Sequence, residues 1–327
     1  MTEHIGIIGL GAYVPERVMT NDDWSAYLDT SDEWITERTG IKERRFVAEG
    51  ESTADLATAA AREALTDAGL GAADVDEIIV ATDTPEVYTP DTAAFVQVRL
   101  GAGNVPAFDL GGSGCAGWVL GLDIARSRAV GGRTILVIGV EVLSRLMDWT
   151  DRSTAVLFGD GAGAVVIGSA PGAAEILAVV AGTDGSKAEI LGLMTGGTRE
   201  PFGPDAVATG AYRHVTMDGR EVFRQAVTRM TEASREVLAA AGASLSDVAL
   251  VVPHQANIRI IDAVRRALDL DDGKVFTNLQ SYGNTGSASI PLALTEARAA
   301  GRFGRGDLVL LTAFGAGFHW AAALVRF

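Results

Sequence analysis

Asp109-Leu-Gly-Gly-Ser-Gly-Cys115-Ala-Gly-Trp118 is the stretch on which the reading of this chain turns. Cys115 is the only cysteine in 327 residues. Residues 105–110 before it read as a buried strand. Residues 118–129 after it carry apolar side chains at helical spacing, at Val119, Leu120, Leu122, Ile124 and Ala125. This places Cys115 at a strand-to-helix turn, where free N–H groups and the helix dipole favour a thiolate. The flanking glycines admit a second backbone or a substrate at close range. That suits a nucleophile, although a lone cysteine also serves as a small buried apolar residue.

Outward from this turn the chain alternates strands and helices. Strands are expected at 5–10, 77–81, 133–139 and 162–167. Helices are expected at 52–68, with Ser52 or Thr53 as N-cap and Gly69 as terminator, and at 91–100. A short helix and loop, dense in charge, is expected across 30–45. The pattern then recurs. Residues 63–80 (EALTDAGLGAADVDEIIV) overlay 236–253 (EVLAAAGASLSDVALVVP) without a gap, 109–115 overlay 278–284, and 134–138 overlay 308–312. The recurrence predicts two halves, 1–171 and 172–327, each a mostly parallel sheet with helices on its faces. It also predicts that Cys115 and Asn284 face one centre. Residues 182–212, rich in glycine and threonine, read as a long surface loop.

Composition narrows the function. A hydrophobic content of 48% is ample for a core, and a net charge of −15 argues against nucleic acid as a partner. One cysteine excludes an internal disulfide, and four histidines scattered along the chain make a metal site improbable. No stretch is long and apolar enough to span a membrane. Met1-Thr2-Glu3-His4 lacks the basic start of a signal peptide, so a cytoplasmic protein is expected.

The second half supplies polar groups where strands end. The apolar run 250–253 leads into His254-Gln-Ala-Asn257, and open α/β folds bind ligands at such carboxyl edges. Asn284 sits in Tyr-Gly-Asn-Thr-Gly-Ser before another helix-like run, and residues 313–318 (AFGAGF) form a turn whose N–H groups suit an oxyanion. Alone, His254 reads equally as a satisfied core residue and Asn284 as an ordinary turn or cap. Together with Cys115 they suit thioester chemistry. The sulfur takes an acyl group, while a neutral imidazole N–H and an amide donate to a thioester carbonyl as a malonyl group loses CO2. A protease-like Cys-His-Asn arrangement fits a duplicated α/β frame poorly.

Nearly end to end, the chain resembles the β-ketoacyl-acyl carrier protein synthase III family. The resemblance rests on Gly11-Ala-Tyr-Val-Pro15, Thr30-Ser-Asp-Glu-Trp-Ile35, Arg38-Thr-Gly-Ile41, Phe158-Gly-Asp-Gly-Ala-Gly163, Val252-Pro-His-Gln-Ala-Asn257, Gly283-Asn-Thr285 and Phe314-Gly-Ala-Gly-Phe318. It implies a thiolase-like, five-layer αβαβα fold and a homodimer. The implied reaction needs no cofactor and condenses an acyl-CoA primer with malonyl-acyl carrier protein at the start of fatty acid synthesis. A polyketide-priming synthase, an acyltransferase of this fold and a silent carrier-protein-binding homologue are the alternatives.

By the same resemblance Cys115 is acylated, His254 and Asn284 serve decarboxylation, Cys115 and Ala316 supply oxyanion N–H groups, and Phe314 walls the site. Trp34 and Arg152 would sandwich the CoA adenine, Arg38 would meet its phosphates and Asn257 its pantetheine arm. Arg224, Arg259 and Arg266 would receive the acidic carrier protein. Lys42 adds positive potential, while Arg44 and Arg45 read as a solvated face. Thr89 stands where many members carry a phenylalanine that floors the acyl pocket across the dimer. Its small size predicts room for branched or longer primers, unless Tyr88 or Trp118 fills the gap. Gly111–Gly114 is smaller than the usual alanine-rich run, and Arg220 replaces a small polar residue.

Overall fold

The computed structural model describes residues 5–327, so the expectation for Met1–His4 lies outside the described residues. Nine strands form one hydrogen-bonded sheet. In chain order they are β1 (Ile5–Tyr13), β2 (Glu77–Ala81), β3 (Ala107–Leu110), β4 (Ile135–Val142), β5 (Asp160–Ser169), β6 (Ala174–Thr183), β7 (Val248–Pro253), β8 (Leu308–Gly315) and β9 (His319–Arg326). Their spatial order is β7-β8-β9-β6-β1-β5-β4-β2-β3. The seam between β6 and β1 is only two residue pairs long, Gly6 with Glu175 and Ile7 with Ala174. On either side of it the strands follow the same order. The place of β3 in the second run is taken by a single parallel bridge, Val251 to Val275.

The expected mostly parallel sheets are mixed. β2 pairs in parallel with β3 and β4, and β7 with β8. β1, β5, β6 and β9 pair antiparallel with their neighbours. The β8–β9 connection is too short for a helical crossover and reverses the chain directly, whereas β5 and β6 lie on either side of β1.

Seven helices concern the argument: α1 (Asp32–Thr39), α2 (Thr53–Ala68), α3 (Thr92–Leu100), α4 (Gly117–Arg128), α5 (Gly219–Ala240), α6 (Ile258–Ala267) and α7 (Ser289–Ala299). Their boundaries have local causes. Ser52 and Asp55 form a capping box at the start of α2, and Gly69 closes it with φ of 68°. Strand alternation sets the layers. Ile79 and Ala81 of β2 and Leu250 and Val252 of β7 pack on α4 and α7 in the middle of the molecule. Ile78 and Val80 face α2 and α3 on one outside, and Val251 faces α5 and α6 on the other. The result is five layers, αβαβα. Each fully buried Leu or Ile in these layers contributes about 1.5–3 kcal/mol.

Two further expectations need correction. Residues 182–212 are not one loop: β6 runs to Thr183, Leu191–Leu193 pairs with Val215–Met217, and Pro204–Thr209 is helical. The overlay of 109–115 on 278–284 slips by three residues. Gly114 (φ 57°) and Gly286 (φ 53°) each open a short 3-10 turn, Gly114–Ala116 and Gly286–Ala288, immediately before α4 and α7. The structural counterpart of Cys115 is therefore Ser287. Matching leucine and glycine letters aligned the loops before these turns and not the turns themselves.

Candidate active site

The carboxyl ends of β2, β4, β7 and β8 border a cavity of about 520 Å3. Cys115, His254, Asn284, Phe314, Gly315 and Ala316 line its inner end, and Trp34, Arg38, Arg152, Asn257 and Arg259 also line it. Residues from Gly114 to Ala316, remote in sequence, meet here because the two 3-10 turns abut. Ser287 Oγ donates to the Gly114 carbonyl at 3.0 Å.

Cys115 sits in its turn one residue before the α4 cap, as its sequence context predicts. Its ionisation departs from expectation. Burial pushes the thiol well above the ordinary thiol range, and the negative charges of Asp83 and Glu141 push it further. The helix N-terminus does not outweigh them. The two carboxyls face each other in the interior. Both Glu141 oxygens accept from the Asp83 backbone N–H, at 3.1 and 3.2 Å, and Oε2 also accepts from Thr84 Oγ1 at 2.6 Å. Burial, followed by the Asp83 charge, raises Glu141 to about 8, and burial raises Asp83 as well.

His254 leaves the end of β7, its backbone N–H donating to Thr312 O at 2.8 Å. The ring is buried, and burial alone lowers its pKa to about 3, so the imidazole is neutral near pH 7. Its Nδ1 lies 2.7 Å from Ser289 Oγ. Asn284 is pinned by its own loop: its N–H donates to Leu157 O at 2.8 Å, and its Oδ1 accepts from Gly286 N–H at 2.9 Å. The Nδ2 end is left for a ligand. Gly315 lets the β8 end press on the Cys115 turn, because a Cβ there would lie 2.3 Å from Cys115 N. A Cβ on Gly114 would lie 2.5 Å from Ala316 N. The N–H groups of Cys115 and Ala316 are thereby brought side by side. Phe314 is buried behind them against Phe318, with ring centroids 4.8 Å apart.

Towards solvent, two guanidiniums lie over Trp34, Arg38 at 4.3 Å and Arg152 at 4.8 Å from its ring centroid. The expected space between Trp34 and Arg152 is therefore closed. Arg152 also donates to Asp29 O at 2.7 Å. Asn257 caps α6 by accepting from Arg259 N–H and donates to Arg38 O. Arg44, expected on a solvated face, is wholly buried. It donates to Met19 O, Asn21 Oδ1 and Val156 O, which offsets part of the cost of burying a guanidinium, and burial still lowers its pKa to about 10.

The family described as 3-oxoacyl-[acyl-carrier-protein (ACP)] synthase III matches residues 108–185, and its C-terminal region matches residues 238–327. The β-ketoacyl-[acyl-carrier-protein] synthase III of Caldanaerobacter subterraneus subsp. tengcongensis is 47% identical over 98% of this chain and 97% of its own. This chain belongs to the β-ketoacyl-[acyl-carrier-protein] synthase III family. The crystal structure of the Aquifex aeolicus VF5 synthase III superposes with a TM-score of 0.91 at 47% identity, covering 99% of this chain and all of that one. A priming β-ketosynthase from the R1128 polyketide pathway is 36% identical with a TM-score of 0.90, covering 99% of this chain and 96% of that one.

Against this family frame the remaining expected site residues divide. Trp118 does not line the cavity: it is buried in the middle layer, its indole N–H donating to Val137 O at 3.4 Å. Thr89 does not line it either, and lies on an exposed loop beside Tyr88, which is 80% exposed. Arg224 and Arg266 are exposed on α5 and α6, and Arg224 is paired with Glu221. Sequence reasoning missed Asp83, Glu141 and Ser289. Glu141 had a signal, a lone carboxyl inside the apolar strand Ile135–Val142. Ser289 had none.

Proposed function

We propose that Cys115 carries the acyl group and that His254 and Asn284 hold the malonyl thioester while CO2 leaves. The chain is an acyl-transferring condensing enzyme that starts fatty acid synthesis. In the first step Cys115 Sγ attacks the primer thioester carbon, the carbon–sulfur bond to CoA breaks, and the thiol proton leaves with the CoA thiol. In the second, the bond between the malonyl carboxylate and the α-carbon breaks. The electron pair becomes an enolate whose oxygen accepts from His254 Nε2–H and Asn284 Nδ2–H. Its carbon attacks the acyl-Cys115 carbonyl, whose oxygen accepts from the Cys115 and Ala316 N–H groups, and the sulfur departs.

The observation that carries this reading is one cavity holding a sulfur, a neutral buried imidazole and an amide whose carbonyl end is already occupied. Trp34, Arg38, Arg152 and Asn257 are assigned to CoA, with Arg152 swinging away from Trp34 to admit the adenine. Arg224, Arg259 and Arg266 are assigned to the carrier protein, and Thr89 to the acyl pocket of a second copy in a homodimer. The matching strand orders support reading 1–171 and 172–327 as duplicated halves. No helix among the described residues is long and apolar enough to cross a membrane, and we place the enzyme in the cytoplasm without a cofactor.

Intact-protein mass after mixing with a panel of acyl-CoAs, then with malonyl-acyl carrier protein, tests the reading. A Cys115-dependent acyl adduct discharged as β-ketoacyl product is expected. An adduct that no malonyl carrier discharges would sink the condensation. Discharge only by a polyketide carrier would favour the priming role that the R1128 relative carries.

A further inference from the structure

We propose that Ser289 fixes the tautomer of His254, holding Nδ1 bare and Nε2 protonated towards the cavity. The inference rests on the reading of His254 as the donor to the malonyl thioester, and it explains how that donor is set. A neutral imidazole has one N–H, and which nitrogen bears it depends on the partner of the other. His254 Nδ1 and Ser289 Oγ are 2.7 Å apart, and both residues are buried, at 3% and 2% exposure. His254 lines the cavity, so with Nδ1 committed to Ser289 the nitrogen left to a ligand is Nε2.

Proton bookkeeping chooses between the tautomers. Among the described residues the Ser289 hydroxyl has no hydrogen-bond partner other than Nδ1. If Nδ1 carried the hydrogen and donated to Oγ, the hydroxyl hydrogen would be buried with no acceptor. If Nδ1 is bare, the hydroxyl donates to it and both groups are satisfied. An orphaned buried donor disfavours its tautomer by about tenfold or more. The geometry is rigid on both sides: Ser289 opens α7 in the middle layer, and the His254 backbone is tied to β8. Ser289 touches neither substrate in this scheme. It is a positioning residue, acting through the ring it orients.

The test uses the full-length enzyme labelled with 15N-histidine. His254→Gln identifies the His254 resonances among the four histidines. In the wild type, an unprotonated Nδ1 and a protonated Nε2 are expected, and the reverse pattern overturns the proposal. Ser289→Ala is expected to weaken that preference and to slow malonyl-acyl carrier protein decarboxylation about tenfold to a hundredfold, with Cys115 acylation within about twofold of wild type. Ser289→Thr, which keeps a hydroxyl, is expected to restore both the tautomer and the rate. Decarboxylation unchanged in Ser289→Ala overturns the proposal, as does an equal loss of both steps that threonine does not restore. If His254→Gln itself decarboxylates normally, the assignment of His254 fails, while the wild-type resonances still report the Ser289 effect.

Discussion

Gly315→Ala isolates the contact on which the proposed oxyanion site depends. Gly315 has φ of −155°, an extended conformation open to any residue, so alanine brings no backbone penalty. What it brings is a methyl group 2.3 Å from Cys115 N and 3.0 Å from Gly114 C. Comfortable carbon contacts lie near 3.5–4.0 Å, so β8 and the Cys115 turn must separate by about 1 Å. A misplacement of about that size costs about a hundredfold in rate. Loss of one oxyanion donor costs about 2.7–4 kcal/mol, or roughly 10²–10³-fold, in the same direction. The overpacking itself should destabilise the fold by about 1–3 kcal/mol, leaving the protein folded. Single-turnover acylation followed by intact mass should therefore fall about a hundredfold in Gly315→Ala. Alkylation of Cys115 by iodoacetamide, which forms no oxyanion, should stay within a few-fold of wild type. A folded variant that acylates within about threefold of wild type would refute the reasoning.

Asn284→Ala should leave Cys115 acylation intact while malonyl decarboxylation falls by about 10²-fold or more, and equal loss of both steps in single-turnover assays would contradict the division of roles. Glu141 is raised to about 8, so the folded state keeps a proton that the unfolded chain releases, and stability falls as pH rises from about 4.5 to 8. Glu141→Gln should therefore gain stability relative to wild type on going from pH 5 to pH 9, by on the order of a few kcal/mol, read as a relative rise in melting temperature. Above about pH 8, where wild-type Glu141 carries its charge, it should also alkylate faster, because one of the charges that raises the Cys115 thiol is gone. Arg44→Met should lower stability by about 3 kcal/mol or more in denaturant melts, since it strands the buried acceptors Met19 O, Asn21 Oδ1 and Val156 O. Trp34→Ala should raise KM for acyl-CoA several-fold with kcat little changed in steady-state assays, if Trp34 grips the CoA end of the primer as proposed.

The legible parts of the chain were those with local causes. Ser52 and Gly69 bound α2 where capping chemistry puts them, and β2 occupies its predicted residues 77–81. β9 is less legible because Ala321, Ala322 and Ala323 fill its centre and Val325 is its one β-branched residue. β3, read as buried, is half-buried because it ends the sheet. In the site, Cys115 stands out by rarity, Cys115 and His254 by following strands, and Asn284 only through its motif Gly283-Asn-Thr285. Ser289 and Arg44 do not. Arg44 stands in a run of charges, and its burial is decided by contacts as distant as Val156, 112 positions away. The raised Cys115 thiol likewise depends on Asp83 and Glu141, which no local pattern brings together.

Ser287 stands where the second half would hold its own nucleophile, and its hydroxyl is spent on the Gly114 carbonyl. Of the two 3-10 turns, one would act as the reagent in the proposed reaction, and the other is a latch. In the proposed reaction an acyl group arriving at this centre would meet a single sulfur and would pass one way only, from the first turn towards the groups held by the second.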